Sequence, residues 1–410
     1  MSSSPAPAAE LRELGTLAFD ELRRGVLGIG RIHLAVAERA FGAVGPGAQA
    51  AKAAHHAISS GVYAGIGSAT RVLGSAAGVA LERRGAQAQR ALSSTPGGAA
   101  LIAAVDGLIG DRLEQEGSAL QAPMAIRVAG EPVAVERAAL AGAFPQARPR
   151  LVVFLHGLME TEFSWAFGKR EPYGSALERE LDCTPVYLRY NSGLRISENG
   201  QALAALLADL IEEWPVEVDE IALVGHSMGG LVARSACHYA AELDARWTDR
   251  VRHVVSLGTP HFGAPLEQGV HYAAAALSRL PETRPFGDFL RRRSGGIRDL
   301  RQGSLVDEDW RDRDPDALRA AACKEIPLLE GATHCFVTAT ITRSPQHPVG
   351  RLLGDWLVLE PSGSGRGRTW RLPFRAEHGM HIGSTNHFAL LNHPAVYERL
   401  REWLATPPPR

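Results

Sequence analysis

Short apolar runs alternate with amphipathic stretches over much of the chain. Buried strands of a parallel sheet read as nearly continuous apolar runs, whereas surface helices repeat apolar positions about every 3.6 residues. The strand pattern occurs at RPRLVVFLHG, CTPVYLRYN, DEIALVGHS, RVRHVVSLGTP and HCFVTATIT, and a further strand is expected at TWRLPFR. Helical patterns separate most of these runs, notably NGQALAALLADLIEEW and GGLVARSACHYAAELDARW. This alternation predicts a doubly wound, mostly parallel α/β sheet.

The chain before residue 122 has a different composition. Residues 1–120 contain 27 alanines and 18 glycines. Residues 10–42 have apolar positions at helical spacing, a weaker helical pattern covers about 48–81, and AALIAAVDGLIGDRLEQ predicts a third, short helix. We therefore expect an N-terminal helical region over residues 1–122. It is either a small bundle packed on the rest of the chain or a module that associates with a lipid or hydrophobic-polymer surface.

Residues 123–410 form the second unit, which opens with a hairpin at MAIRVAGEPVAVE. One insertion interrupts its strand–helix alternation, over about residues 265–330, where a single crossover helix would suffice. This segment is rich in Arg, Asp and aromatic residues. We interpret it as a cap or lid over one end of the sheet.

Composition and charge exclude several classes of protein. Of the 410 residues, 45% are apolar, which excludes disorder of the whole chain. A formal net charge of -1 provides no bulk attraction to nucleic acid. The four cysteines are far apart, without metal-ligand spacing, and the N-terminus has no secretory-signal pattern. We therefore expect reduced thiols and a cytoplasmic location, with peripheral contact to a lipid or granule surface as an alternative.

Ser227 lies at the centre of a G-x-S-x-G motif in LVGHSMGG. The motif follows a predicted buried strand and precedes a predicted helix, which is the setting of a nucleophile elbow. A serine hydroxyl needs a base to remove its proton and donors to stabilise the oxyanion that forms. The backbone N–H of Met228 supplies one donor, and that of Leu158, after the strand LVVFLHG, supplies the second. We expect His156 to brace the Leu158 loop.

The base is expected late in the chain, since the order on this scaffold is Ser, acid, His. We select His387, in GSTNHFALLNHP, because it lies between the last predicted strand and the last helix. His378 and His381 form an HGMH pair, but no carboxylate or cysteine stands at metal-ligand spacing beside them. His393 precedes the first-turn proline of the final helix and fits a capping role better.

The expected acid is Asp355, in GRLLGDWLVLEPS, because it follows the strand HCFVTATIT. Such an acid holds the imidazole in the tautomer that accepts the serine proton. Glu360 is a weaker alternative. The carboxylates of the insertion are better explained as a salt-bridge cluster: Asp307, Glu308 and Asp309.

Taken together, several segments resemble bacterial lipases and esterases of the α/β-hydrolase superfamily, in the branch with triacylglycerol lipase-like and GPI-inositol deacylase-like proteins. These segments are FLHGLMET, LVGHSMGG, SLGTPHFGAP, LLGDWLV and NHFALL. The resemblance covers about residues 148–405 and leaves residues 1–122 unexplained. It implies an α/β-hydrolase fold with Ser227, Asp355 and His387 as the triad, and Leu158 with Met228 as the oxyanion hole.

These observations lead us to expect a cofactor-free serine hydrolase that acts on a small-molecule or lipid ester with an apolar acyl group. Apolar side chains near the motif and in the insertion are candidates for the acyl pocket: Met159, Phe262, Phe286 and Trp310. An acyltransferase or thioesterase would use the same triad. A non-catalytic binding module on the same fold is the third alternative.

Overall fold

The computed structural model describes residues 7–44, separate helical positions between 49 and 83, and residues 90–121, 123–264, 293–314, 323–367 and 370–405. At its centre is a sheet of eight strands, in the order β2-β1-β4-β3-β5-β6-β7-β8. Strand β1 is antiparallel to β2 and β4, and all other neighbours are parallel. The strands are β1 (Ala125–Val128), β2 (Glu131–Val133), β3 (Arg150–Leu155), β4 (Thr184–Arg189), β5 (Glu220–His226), β6 (Val251–Leu257), β7 (Thr333–Thr340) and β8 (Gly379–Gly383).

Helices pack on both faces of this sheet. Along β5, Ile221 and Leu223 belong to one buried cluster, whereas Ala222 and Val224 belong to another on the opposite face. This alternation confirms the doubly wound α/β fold, because a strand covered on both faces buries every side chain. The helices are α1 (Pro7–Val44), α2 (Pro96–Gln115), α3 (Arg137–Ala143), α4 (Tyr173–Leu181), α5 (Ile196–Glu213), α6 (Met228–Glu242), α7 (Gly295–Asp299), α8 (Pro348–Leu353), α9 (Glu360–Gly363) and α10 (Pro394–Ala405).

The last strand is not where the sequence pattern predicts it. The described part of TWRLPFR contributes an isolated bridge between Arg366 and Arg371. The last strand of the sheet is β8, GMHIG, which pairs in parallel with β7. The prediction at TWRLPFR is therefore wrong. The true last strand, β8, is short, has glycine at each end and lacks a recognisable apolar pattern. Its extended conformation depends on pairing with β7 rather than on its own propensity.

The N-terminal helix α2 packs closely on the C-terminal unit. The carbonyl of Gly110 accepts a hydrogen bond from Asn191 Nδ2 at 2.9 Å, and that of Gly107 accepts one from Ser294 Oγ at 2.6 Å. Asp111 Oδ2 accepts the backbone N–H of Gly295 at 3.0 Å. Half of the positions in the helix predicted over 48–81 lie outside the described residues, and the described positions are helical. Within the described ranges, no helix is both long and apolar enough to cross a membrane.

The described parts of the insertion are packed into the body of the domain. Leu300, Leu305 and Val306 are buried in the same apolar cluster as the inner faces of α5 and α6. Residues 265–292 and 315–322 lie outside the described residues, and this includes Phe286. A cap or lid formed by the insertion therefore stays a prediction.

Candidate active site

Ser227 occupies a sharp turn between β5 and α6. Its backbone has φ 54° and ψ −120°, in the left-handed region that side chains other than glycine rarely adopt. Such a conformation costs about 1–3 kcal/mol and is maintained only when the surrounding structure enforces it. A Cβ on Gly229 would lie 2.3 Å from the carbonyl oxygen of Leu155, so only glycine allows the helix to start this close to β3. The turn therefore has the geometry of a nucleophile elbow.

His387 and Asp355 form a buried pair. His387 Nδ1 lies 2.7 Å from Asp355 Oδ2, and both side chains are 1% exposed. Asp355 Oδ1 accepts the backbone N–H groups of Leu357 at 3.0 Å and Val358 at 2.8 Å. The backbone N–H of His387 also donates to the Asp355 carbonyl at 2.9 Å. These contacts fix the carboxylate, so Nδ1 of the imidazole is the donor and Nε2 is the acceptor.

The structure brings this pair next to the Ser227 turn. The backbone N–H of Ser227 donates to the Leu257 carbonyl at 2.8 Å. A Cβ on the following residue, Gly258, would lie 3.1 Å from both Nδ1 and Cε1 of His387. His387 Nε2 is buried and has no hydrogen-bond partner among the described residues. The nitrogen able to accept a proton is thus free at the end of the sheet where Ser227 lies.

The two expected oxyanion donors both belong to segments next to this serine. Met228 is the first residue of α6, where backbone N–H groups have no carbonyl one turn earlier to bond with. Leu158 follows Gly157, where an added Cβ would lie 3.0 Å from Ser227 Cβ. No hydrogen bond involves the Leu158 N–H within the described ranges. Both donors are therefore available beside the nucleophile turn.

His156, at the start of the same loop, has both ring nitrogens engaged. Nε2 accepts the backbone N–H of Tyr190 at 3.2 Å, and Nδ1 donates to the Gly157 carbonyl at 2.8 Å. The ring also stacks on Tyr190 with centroids 4.2 Å apart. Burial lowers the pKa of His156, which keeps the ring neutral. This histidine holds the loop rather than facing the serine.

The predicted pocket residues contact other parts of the molecule. Met159 packs against α2, where a Cβ on Gly107 would lie 2.3 Å from Met159 Cγ. The Phe262 ring meets Trp370 edge-on, with centroids 5.3 Å apart. Trp310 donates its indole N–H to Ser197 Oγ at 2.9 Å, and its ring lies under the Arg195 guanidinium. These described contacts do not join Trp310 to the Ser227 turn.

Two of the other histidines considered as bases or ligands, His381 and His393, have structural partners. His381 lies 3.1 Å from the hydroxyls of both Thr338 and Thr340. His393 Nδ1 accepts the backbone N–H of Ala395 at 3.2 Å, near the start of α10. In the part of the chain that the structure describes, no three His, Cys, Asp or Glu side chains are grouped to hold a metal ion.

One buried charged pair beside the site escaped the sequence reasoning. His226, directly before the serine, contacts Glu160, directly after the oxyanion loop, with Nδ1 and Oε2 2.9 Å apart. The sequence contains a signal for this pair, since the carboxylate follows β3, the imidazole ends β5, and these two strands are neighbours. The contact could be inferred only once those two strands were known to be neighbours.

Comparisons with known proteins agree with this architecture. Residues 200–279 match the family model described as PGAP1-like alpha/beta domain. A sequence search of curated proteins found no significant match. Together with the sheet topology, the family match confirms the α/β-hydrolase fold to which the motifs point.

Several solved structures are similar to the chain. Lipase BlEst2 of Bacillus licheniformis in its propeptide form is 19% identical with a TM-score of 0.43, over 65% of this chain and 52% of that chain. The metagenomic carboxyl esterase MGS0156 is 16% identical with a TM-score of 0.36, over 74% and 90% of the two chains. The Staphylococcus hyicus lipase is 14% identical with a TM-score of 0.35, over 63% and 93%. The chain therefore spans about half the length of the BlEst2 propeptide form.

Proposed function

We propose that this chain is a serine hydrolase that cleaves carboxylic esters through an acyl-enzyme. One observation carries the proposal. The His387 imidazole is held through Nδ1 by Asp355 at 2.7 Å, while its Nε2 is unpaired among the described residues, next to a serine with a left-handed backbone. A buried imidazole with one nitrogen fixed by a carboxylate and the other free matches the requirement of a general base.

The reaction follows from these roles. Ser227 Oγ attacks the acyl carbonyl carbon while His387 Nε2 takes the hydroxyl proton, and Asp355 stabilises the imidazolium that results. The carbonyl oxygen becomes an oxyanion that accepts the N–H groups of Leu158 and Met228. The carbon–oxygen bond to the alcohol then breaks, and His387 returns the proton to that alcohol.

Hydrolysis of the acyl-enzyme repeats these steps with water. His387 takes a proton from the attacking water, the acyl–Ser227 bond breaks, and the serine recovers its proton as the acid leaves. Each proton that the base takes is returned within the cycle, so the chemistry needs no cofactor. We further propose an apolar acyl group, because Leu158 packs against the apolar cluster on one face of the sheet and Met159 packs against α2.

A second candidate keeps the acyl-enzyme but transfers the acyl group to another alcohol or releases it from a thioester. Burial of the site favours this second candidate, since Ser227 is 9% exposed and His387 is 1% exposed. Exclusion of water, rather than the triad, decides between hydrolysis and transfer. The ratio of transfer product to free acid, measured with added short alcohols, separates the two reactions.

Covalent labelling tests the proposal directly. A fluorophosphonate should modify Ser227, mapped by mass spectrometry of the peptide that contains LVGHSMGG, and Ser227→Ala should abolish the label. Ser235→Ala is a matched control, because this serine is buried in α6 and its hydroxyl bonds to the Leu305 carbonyl at 2.6 Å. A label on any other residue, or none, would contradict the proposal. p-Nitrophenyl esters of increasing acyl length then define the acyl preference.

A further inference from the structure

Glu160 and His226 form a buried pair behind the proposed nucleophile. Glu160 is 8% exposed and His226 is fully buried. One carboxylate oxygen, Oε2, accepts both the Gly157 backbone N–H at 2.8 Å and the Nδ1 proton of His226 at 2.9 Å. A single oxygen atom thus links the oxyanion loop to the residue that precedes Ser227.

The second ring nitrogen of His226 extends the link to the base. Nε2 lies 3.2 Å from the backbone carbonyl of His387, which can only accept, so Nε2 carries a proton. Burial raises the pKa of Glu160, but the charge of His226 and the Gly157 N–H outweigh it and leave that pKa below its ordinary value. Burial lowers the pKa of His226, but Glu160 outweighs it and leaves that pKa raised. The pair is therefore a carboxylate and an imidazolium.

Three segments of the proposed site meet at this ion pair. They are the loop of Gly157, the turn of Ser227 and the loop of His387. Space between them is tight, since a Cβ on Gly157 would lie 3.0 Å from both Ser227 Cβ and Glu160 Oε2. An oxyanion hole works only when its donors lie about 2.7–3.1 Å from the developing charge. A small displacement of the Gly157 loop would therefore move the Leu158 N–H out of range.

We propose that Glu160 and His226 are a positioning pair that fixes the oxyanion loop against Ser227 and His387. The inference rests on the proposed serine hydrolase function. The pair touches no reacting atom. It contributes to stabilisation of the transition state rather than to binding of the substrate, because the Leu158 N–H contacts charge that develops only during the reaction.

A second buried ion pair, formed by Glu162, makes no hydrogen bond to Gly157, Ser227 or His387 among the described residues. Glu162 binds Arg189 through two contacts, one of them 2.7 Å between Oε2 and Nε. Arg189 also donates to the carbonyl of Ser93, ahead of α2. Both glutamates are 8% exposed, and both have buried cationic partners. Glu162→Gln is therefore a matched control for Glu160→Gln, with a similar loss of buried charge at a side chain whose hydrogen bonds go to Arg189 rather than to the proposed site.

The experiment compares substrate turnover with binding of phenylboronic acid, which forms a tetrahedral adduct on a nucleophilic serine. In the full chain, Glu160→Gln and His226→Gln should each lower kcat on a p-nitrophenyl ester by roughly 10- to 100-fold. KM should change by less than about threefold, since ground-state contacts are kept. The inhibition constant of phenylboronic acid should rise in parallel with the loss of kcat. The loss of kcat in the double variant should be no larger than about the larger loss in the two single variants, because both residues act as one unit.

Glu162→Gln should lower the thermal midpoint. At temperatures below that midpoint, it should leave both kcat and the inhibition constant of phenylboronic acid unchanged. If Glu160→Gln is insoluble, His226→Gln carries the test, since it leaves Glu160 bonded to Gly157. Equal effects of Glu160→Gln and Glu162→Gln on phenylboronic acid binding would overturn the positioning role. Failure of the proposed serine hydrolase function is recognised separately. A wild-type chain that neither turns over esters nor binds fluorophosphonate would contradict both proposals.

Discussion

Replacing Asp355 by asparagine tests the proposed acid most severely. The carboxylate uses Oδ1 for two backbone N–H groups and Oδ2 for His387. An amide has one oxygen and one NH2 group. If the oxygen faces the backbone, the NH2 group donates to Nδ1, which puts the imidazole proton on Nε2. That nitrogen can then no longer accept the proton of Ser227.

The opposite orientation of the amide is unfavourable for a reason that can be quantified. It would turn the NH2 group towards the N–H groups of Leu357 and Val358 and leave one part-buried and one buried donor unsatisfied, at about 2 kcal/mol each. The resulting preference of about 4 kcal/mol corresponds to roughly a 10³-fold loss of the active arrangement. Loss of the charge that stabilises the imidazolium brings the expected decrease in kcat to about 10⁴-fold.

The assay is kcat on a p-nitrophenyl ester, with the circular dichroism spectrum and thermal midpoint recorded on the same preparations. Asp299→Asn is the matched control, because Asp299 is also a buried aspartate that accepts a backbone N–H, that of Ile196 at 2.9 Å, and pairs with a cation, Arg195. It should lower stability but keep kcat. An Asp355→Asn variant that is folded and retains more than about a tenth of the wild-type kcat would refute the assignment, since even one unsatisfied donor predicts more.

Three further changes have definite expected outcomes. Gly229→Ala places a Cβ 2.3 Å from the Leu155 carbonyl, so it should lower kcat and destabilise the fold by about 1–3 kcal/mol, whereas Gly142→Ala, with open space around it, should do neither. Burial, opposed by Arg189, raises the pKa of Asp106 to about 8. Between the ordinary aspartate pKa of 3.8 and that pH, the folded state binds more protons than the unfolded state, so stability should fall with rising pH by at most about 1.4 kcal/mol per unit. Asp106→Asn should remove that slope. Deletion of residues 1–122 should give insoluble protein, because α2 bonds directly to the C-terminal unit.

Each of these has a measurement and a contrary result. Urea unfolding at several pH values, wild type against Asp106→Asn, tests the slope, and two parallel curves would contradict it. Equal kcat values for Gly229→Ala and Gly142→Ala would contradict the prediction from the elbow geometry. A truncated chain that stays soluble and hydrolyses soluble esters, while losing activity on emulsions, would instead favour a surface-targeting module.

The sequence was sufficient to predict that Asp355 and His387 pair beside the Ser227 turn, and their catalytic roles stay predictions. With Ser227 placed after β5, the loops after β7 and β8 bring Asp355 and His387 to the same end of the sheet within the described residues. The pairing of Glu160 with His226 could not be predicted in the same way. Its stability depends on burial by three separate loops, and a glutamate or histidine in sequence carries no mark of that burial.

The side chains proposed for the acyl pocket show the same limit. Met159 was expected to face substrate because it is apolar and adjoins Leu158. Its packing partner, Gly107, lies in a helix more than fifty positions earlier, and the contact exists because glycine leaves room for the Met159 side chain. Contacts over that distance in the chain are set by packing, which no local pattern encodes.

The contacts of α2 also join segments that are made at well-separated times during synthesis. Gly107 and Ser294, whose groups bond in the folded chain, are 187 positions apart. At ~5–20 residues per second, Ser294 leaves the ribosome roughly 10 to 40 seconds after Gly107. During that interval Gly107 and Asp111 lack their bonds to Ser294 and Gly295. The helix that is made first therefore keeps part of its surface uncovered until that later segment has been made.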